Sequence, residues 1–108
     1  MNTGVEGGET AIKLCRKWAY KVKGIQENKA IILFAENNFW GRTLAAVSSS
    51  TDPSAYEDYG PYLPGFEIVK YNDLKALEKA LEESKKYSGF KIEMAIDNFK
   101  NLFTIFEA

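Results

Sequence analysis

The sequence predicts an α/β layered unit, ordered helix, strand, helix, strand, helix, with its two strands parallel. Three observations carry that expectation. Apolar residues recur at steps of three and four over residues 9–23, an unbroken apolar run fills residues 30–35, and a second stripe of helical period follows Asp73. In the first helix Ala11, Ile12, Cys15, Trp18, Ala19 and Val22 share a face, while Lys13, Arg16, Lys17 and Lys21 lie mostly on the other. Lys23-Gly24 then supplies a C-terminal cation and a left-handed stop. The run Ala-Ile-Ile-Leu-Phe-Ala is the pattern of a parallel strand covered on both faces, and Asn37-Asn38 punctuate its end. A short helix through residues 41–48 follows, after which Ser-Ser-Thr-Asp-Pro opens the longest loop, running to Pro64-Gly65. Residues 66–71 are apolar enough for the second strand. Asp73 caps a last helix with Leu74, Leu77, Ala80 and Leu81 on one face, and a right-handed crossover joins the strands.

Composition narrows the function. The 108 residues are 45% hydrophobic and 14% aromatic, enough for one globular core. Acidic and basic residues number 15 and 14 and are well mixed, so neither a nucleic-acid footprint nor a basic membrane face is expected. Histidine is absent, which removes Ser-His-Asp and Cys-His nucleophiles and His-containing zinc sites. The single cysteine, Cys15, sits among Ile12, Leu14, Trp18 and Ala19 and reads as a small core residue in a chain compatible with a reducing compartment. No charged-then-apolar leader and no apolar run near 18 residues is visible, so neither a targeting segment nor a membrane span is expected.

Residues 1–10, Met-Asn-Thr-Gly-Val-Glu-Gly-Gly-Glu-Thr, form a small-residue turn that opens the first helix. Gly4 can adopt backbone conformations closed to other residues. The first helical N–H groups after it lack carbonyl partners, and the helix dipole adds roughly half a positive charge there, so a phosphate could sit on the Gly4 and Val5 amides. Neither G-x-G-x-x-G nor a Walker loop is present. The same residues also fit a capping box, with Thr3 as N-cap and Glu6 three residues on.

A second segment bears on that choice. Phe-Trp-Gly-Arg-Thr at residues 39–43 is followed by Ser-Ser-Ser-Thr-Asp-Pro, then Gly-Pro-Tyr-Leu-Pro-Gly-Phe, then Tyr-Asn-Asp-Leu. In that order, and together with Met1–Lys17, these motifs closely resemble the large domain of the ornithine aminotransferases. These are pyridoxal-phosphate enzymes of fold type I, in the class-III aminotransferase family. The resemblance runs from Met1 to about Glu83. It implies a piece of that large domain over residues 1–83, with pyridoxal 5'-phosphate as cofactor, ornithine and 2-oxoglutarate as substrates, and glutamate semialdehyde and glutamate as products. It implies a homo-oligomer in the full enzyme, and a cytoplasmic or mitochondrial-matrix location.

Residue by residue, the resemblance gives Gly4 and Val5 to the cofactor phosphate and Phe39 to stacking on the pyridine ring, a role suited to a flat apolar face. It gives Arg42 to the α-carboxylate of ornithine, where a planar guanidinium meets both oxygens at once. Taken alone, Phe39 also reads as a core phenylalanine at a helix start, and Arg42 as a solvated surface arginine. Trp40 and Gly41 belong to the same turn and shape it. Tyr56, Tyr59 and Tyr62, with three prolines, make the loop 52–65 a candidate subunit contact or a self-packed surface loop.

From Ser84 onward the residues no longer resemble the family. The resemblance would place there a buried strand ending in Val-Glu-Pro, then the aspartate beside the ring nitrogen and the lysine that carries the cofactor. None of the lysines present takes that place, so the 108 residues alone are expected not to transaminate, and a non-catalytic subunit that docks on a full-length partner or binds a phosphate ligand is the alternative. In the divergent tail, residues 84–108, Ile92, Ile96, Phe99, Phe103 and Phe106 recur at steps of three and four and predict an amphipathic helix. Phe90, Ile92, Met94 and Ile96 also alternate, which leaves a strand through residues 90–96 in place of the missing family strand as the second option.

Overall fold

The computed structural model describes residues 2–86, 91–96 and 103–107, with side chains described to residue 83. In chain order the elements are α1 (Gly4–Lys21), β1 (Ile31–Ala35), α2 (Leu44–Ser48), α3 (Pro53–Tyr56), β2 (Phe66–Val69), α4 (Leu74–Lys86), β3 (Lys91–Ile96) and β4 (Phe103–Glu107). They build a four-stranded sheet in the order β2-β1-β3-β4. The expected parallel pair is present: β1 runs parallel to β2, with Ile32 opposite Phe66 and Ala35 opposite Val69.

Three elements depart from expectation. α1 begins at Gly4, five residues before the periodic stripe, because Thr3 and Glu6 cap it there. The long loop contains the one-turn α3, opened by Asp52, whose carboxylate accepts from the Ser54 amide at 3.0 Å. The third departure is the tail, where strands β3 and β4 replace the amphipathic helix. β1 has a second edge, and an extended segment laid along it pairs backbone groups that would otherwise lack partners. β3 takes that place, parallel, with Ile31 opposite Lys91 and Leu33 opposite Glu93, and β4 returns antiparallel with Ile92 opposite Glu107. The period-two alternation therefore prevails over the helical one. Phe90 and Phe99 lie outside the described residues.

α1 packs on one face of β1. Ile12, Cys15 and Ala19 from the helix meet Ile32 and Phe34 from the strand and Ala30 just before it, and Trp40, Ala45 and Ala46 close the same core. Phe34 is fully buried, stacked on Trp40 at 5.9 Å between ring centroids and edge-on to Phe66 at 5.1 Å. Val22 and Leu14, read as neighbours of this core, are instead 68% and 62% exposed. Gly24 at φ +71 turns the chain away after α1 ends, so Val22 lies past the packed face, while Leu14, two residues from Ile12, falls on the far side of the helix. Arg16 clasps the far end of the long loop. It donates to the Pro64 carbonyl at 2.9 Å and covers the Phe66 ring at 5.3 Å.

Cys15 is 4% exposed, and burial pushes its thiol above the ordinary value. Only the thiolate is nucleophilic, so alkylation by iodoacetamide at pH 8 is expected to be at least about tenfold slower in the folded chain than in urea. Equal rates in a time course followed by mass spectrometry would place Cys15 outside the core.

Candidate functional site

The chain leaves the C-terminal end of β1 through Asn37, which holds φ +63, and enters a tight turn of residues 38–43 before α2. A cleft of about 810 Å³ opens there. Its walls include Asn38, Phe39, Gly41 and Arg42 from the turn, Leu44 and Val47 from α2, and Ser50 to Ala55 and Tyr59 from the segment beyond. The end of a parallel strand next to a helix is where open α/β sheets place ligands.

Within the turn, buried and exposed side chains alternate. Trp40 is buried at 5% exposure, while Phe39 is 55% exposed and Arg42 is exposed beside it. The Arg42 guanidinium lies 5.9 Å from the centre of the Phe39 ring. A flat apolar plate and a planar cation thus share one wall, a pairing able to receive an aromatic ring that carries, or is joined to, a carboxylate.

The N-terminus of α1 abuts the same turn. At Gly41, with φ +150, a Cβ would stand 2.4 Å from Val5 Cγ2, and at Gly8 a Cβ would stand 2.5 Å from the Trp40 ring. Both contacts need glycine, and they bring Gly4 and Val5 next to the segment that carries Phe39 and Arg42. Gly4 itself uses no special conformation. It is the first helical residue, because the extended Thr3 (φ −138, ψ 165) already turns the chain. The capping box is formed: the Glu6 amide donates to Thr3 Oγ1 at 3.3 Å, and the Thr3 and Asn2 amides donate to Glu6 Oε2 at 2.9 and 2.6 Å. Capping leaves two donors over. Among the described residues the Gly4 and Val5 amides meet no acceptor, so a phosphate fits them, sharing the terminus with the Glu6 carboxylate.

The loop after α2 packs on itself. The Tyr62 hydroxyl donates to the Tyr56 carbonyl, their rings meet edge-on at 6.2 Å, and the Leu63 amide donates to Ser48 Oγ at 2.9 Å. Tyr59 and Tyr62 stay 58% and 46% exposed.

Sequence reasoning missed two residues here. Asn38, 7% exposed, donates its amide to the Ala35 and Ser49 carbonyls at 2.9 and 2.7 Å. Ser49, fully buried, accepts from the Trp40 indole at 2.8 Å and donates to the Ala46 carbonyl at 3.0 Å. A serine in a Ser-Ser-Ser-Thr run has no periodicity that marks which hydroxyl turns inward. The glycine pair inside α1 was the one legible sign of a close approach. Among the described residues no cluster of acidic, cysteine or histidine side chains could hold a metal ion, and no helix is long and apolar enough to cross a membrane.

Comparison with known proteins agrees with this geometry. The chain is 68% identical over 93 residues to the mitochondrial ornithine aminotransferase of Rattus norvegicus, covering 86% of this chain and 21% of that protein. It is 68% identical over 83 residues to the ornithine aminotransferase of Vigna aconitifolia, covering 77% and 20%. It superposes on the ornithine aminotransferase of Toxoplasma gondii, described with partial occupancy of PLP at its active site, with a TM-score of 0.76 at 52% identity. That match covers 77% of this chain and 20% of the other. The acetylornithine aminotransferase of Elizabethkingia anophelis superposes with a TM-score of 0.57 at 37% identity, over 88% of this chain and 18% of that one. The chain thus spans about a fifth of the length of the curated relatives it matches. The model of the family described as aminotransferase class-III matches residues 1–102. That range passes residue 83, the expected end of the resemblance, and includes the residues of β3. With parallel strands, a capped helix and the cleft at their end all inside the matched range, the chain belongs to the class-III aminotransferases.

Proposed function

We propose that this chain supplies the cofactor-facing part of an ornithine aminotransferase large domain, in an enzyme that moves the δ-amino group of ornithine to 2-oxoglutarate. The observation that carries the reading is the shared wall of Phe39 and Arg42, 5.9 Å apart on the cleft, abutted by the unpaired amides of Gly4 and Val5. Pyridoxal phosphate, when bound, supplies the carbonyl and the electron-poor ring through which an amino group passes from one substrate to the next. The chain's own residues hold and orient. Gly4 and Val5 donate to the phosphate, Phe39 offers its exposed face to the pyridine ring, and Arg42 fixes the substrate carboxylate so that the far amino group points toward the cofactor. The lysine that would carry the cofactor and move the proton is supplied by the remainder of the enzyme, as are the subunit contacts of a homo-oligomer. The rat and Drosophila melanogaster relatives are named as mitochondrial, and a matrix location belongs to the same proposal.

The test is a chimaera in which the matched residues replace their counterparts in the rat enzyme. Transamination of ornithine is expected to persist; its loss, with cofactor still bound, would remove the ornithine assignment. In the chimaera Arg42→Lys is expected to raise the half-saturating ornithine concentration by about tenfold or more, because a point charge replaces a bidentate fork, and to leave cofactor affinity within about twofold. Equal losses of both would make Arg42 a structural residue.

A further inference from the structure

We propose that Ser49 is a positioning residue for Phe39, acting as a two-point clamp on the residues that flank it. Phe39 sits between two side chains that both end on Ser49. Asn38 Nδ2 donates to the Ser49 carbonyl at 2.7 Å, and Trp40 Nε1 donates to the Ser49 hydroxyl at 2.8 Å. Ser49 is itself immobilised: it is fully buried, and its hydroxyl proton is committed to the Ala46 carbonyl at 3.0 Å, leaving lone pairs for the indole. Asn38 has a second tether on the Ala35 carbonyl at 2.9 Å, at the end of β1, and Trp40 is wedged between Phe34 and the bare backbone of Gly8. With residues 38 and 40 buried and pinned, the backbone path between them is fixed, and residue 39 is left to stand on the cleft wall with its ring half exposed. Buried hydrogen bonds of this kind lock a rotamer and a backbone path together, and they set the angle of the plate held between them. The placement of Phe39 thus depends on a hydroxyl from the end of a different element, α2.

The clamp stands on geometry alone; its consequence for the cofactor rests on the reading given under Proposed function. Two measurements separate them. The 108-residue chain is labelled with 4-fluorophenylalanine, and the Phe39 signal is assigned among the seven phenylalanines by its disappearance in Phe39→Leu. Ser49→Ala removes the hydroxyl arm, and Trp40→Phe removes the donor while leaving Ser49 in place. In both variants the fluorine resonance of residue 39 is expected to move toward the free amino-acid position while the Phe34 resonance stays dispersed. An unchanged residue-39 signal in both overturns the proposal. So does collapse of the Phe34 and Phe66 resonances together with that of residue 39 in both, because Ser49 would then hold the fold and not the ring. In the second measurement the same substitutions are placed in the chimaera with the rat enzyme, and pyridoxal phosphate is titrated into it. Ser49→Ala is expected to weaken binding about fivefold, and no further in a Phe39→Leu background, since the two changes remove one interaction. Independent, multiplying losses overturn the proposal. If the parent chimaera binds no pyridoxal phosphate, the cofactor assignment for these residues fails, and the fluorine spectra still decide the clamp.

Discussion

Phe34→Ala is expected to lower the unfolding free energy by about 3–5 kcal/mol, the range for deleting a fully buried aromatic ring. Phe34 is 0% exposed and touches aromatic rings on two sides, Trp40 by stacking and Phe66 edge-on, so the void cannot be closed by one neighbour without breaking the other contact. A small domain has only about 5–15 kcal/mol in total, so the variant should be largely unfolded in mild urea. The consequence reaches the cleft. Trp40 loses the surface it stacks on, and the turn that carries Phe39 and Arg42 loses its inner anchor. Urea titration followed by circular dichroism measures the loss; a fall under about 1 kcal/mol would mean that the described aromatic core is wrong. Phe34→Leu keeps most of the volume and is expected to cost clearly less.

Gly41→Val is expected to cost about 2–4 kcal/mol and to uncouple α1 from the cleft. Two penalties coincide at this position. The backbone at φ +150 is one that a β-branched residue rarely adopts, and a Cβ would meet Val5 Cγ2 at 2.4 Å. Relief requires either the turn or the N-terminus of α1 to move, and either movement separates the Gly4 and Val5 amides from Phe39. Pyridoxal phosphate affinity should therefore fall by about tenfold or more in the chimaera, beyond what the stability loss alone explains. The truncation Val5→Ala in the Gly41→Val background removes Cγ2, the nearer contact, and leaves Val5 Cβ at 2.8 Å and the backbone penalty, so it is expected to restore only part of the stability. A double-mutant cycle with no coupling between the two changes would show that Val5 and Gly41 are not in contact.

The parts of the fold that could be read from the chain are those with a strong local signal. The stripe of Ile12, Cys15 and Ala19, the apolar run of β1 and the cap at Asp73 each appear at the expected place, and Ala76 donates to the Asp73 carboxylate at 3.0 Å. The tail had two competing periods in one segment. Its outcome depended on the open edge of β1, a partner more than fifty residues away that no local window contains. The start of α1 lay outside the apolar stripe, because its first turn carries polar and glycine residues, and it was legible only as the capping box of Thr3 and Glu6, which the structure forms.

For the site, motif order determined which residues to examine, and chemistry determined what each could do. A phenylalanine offers a flat apolar face, an arginine a bidentate fork, and the first amides of a helix two unpaired donors, wherever they stand. Whether they stand together is a matter of packing. Only the tertiary structure shows Val5 against Gly41, Gly8 against Trp40, and the turn between them presenting Phe39 and Arg42 to one cleft. Ser49 lies further still from what a sequence can disclose. One serine among three neighbours is buried because of where the end of α2 meets the end of β1, and hydrogen bonds between such elements are set by distance and direction in space, to which separation along the chain is no guide.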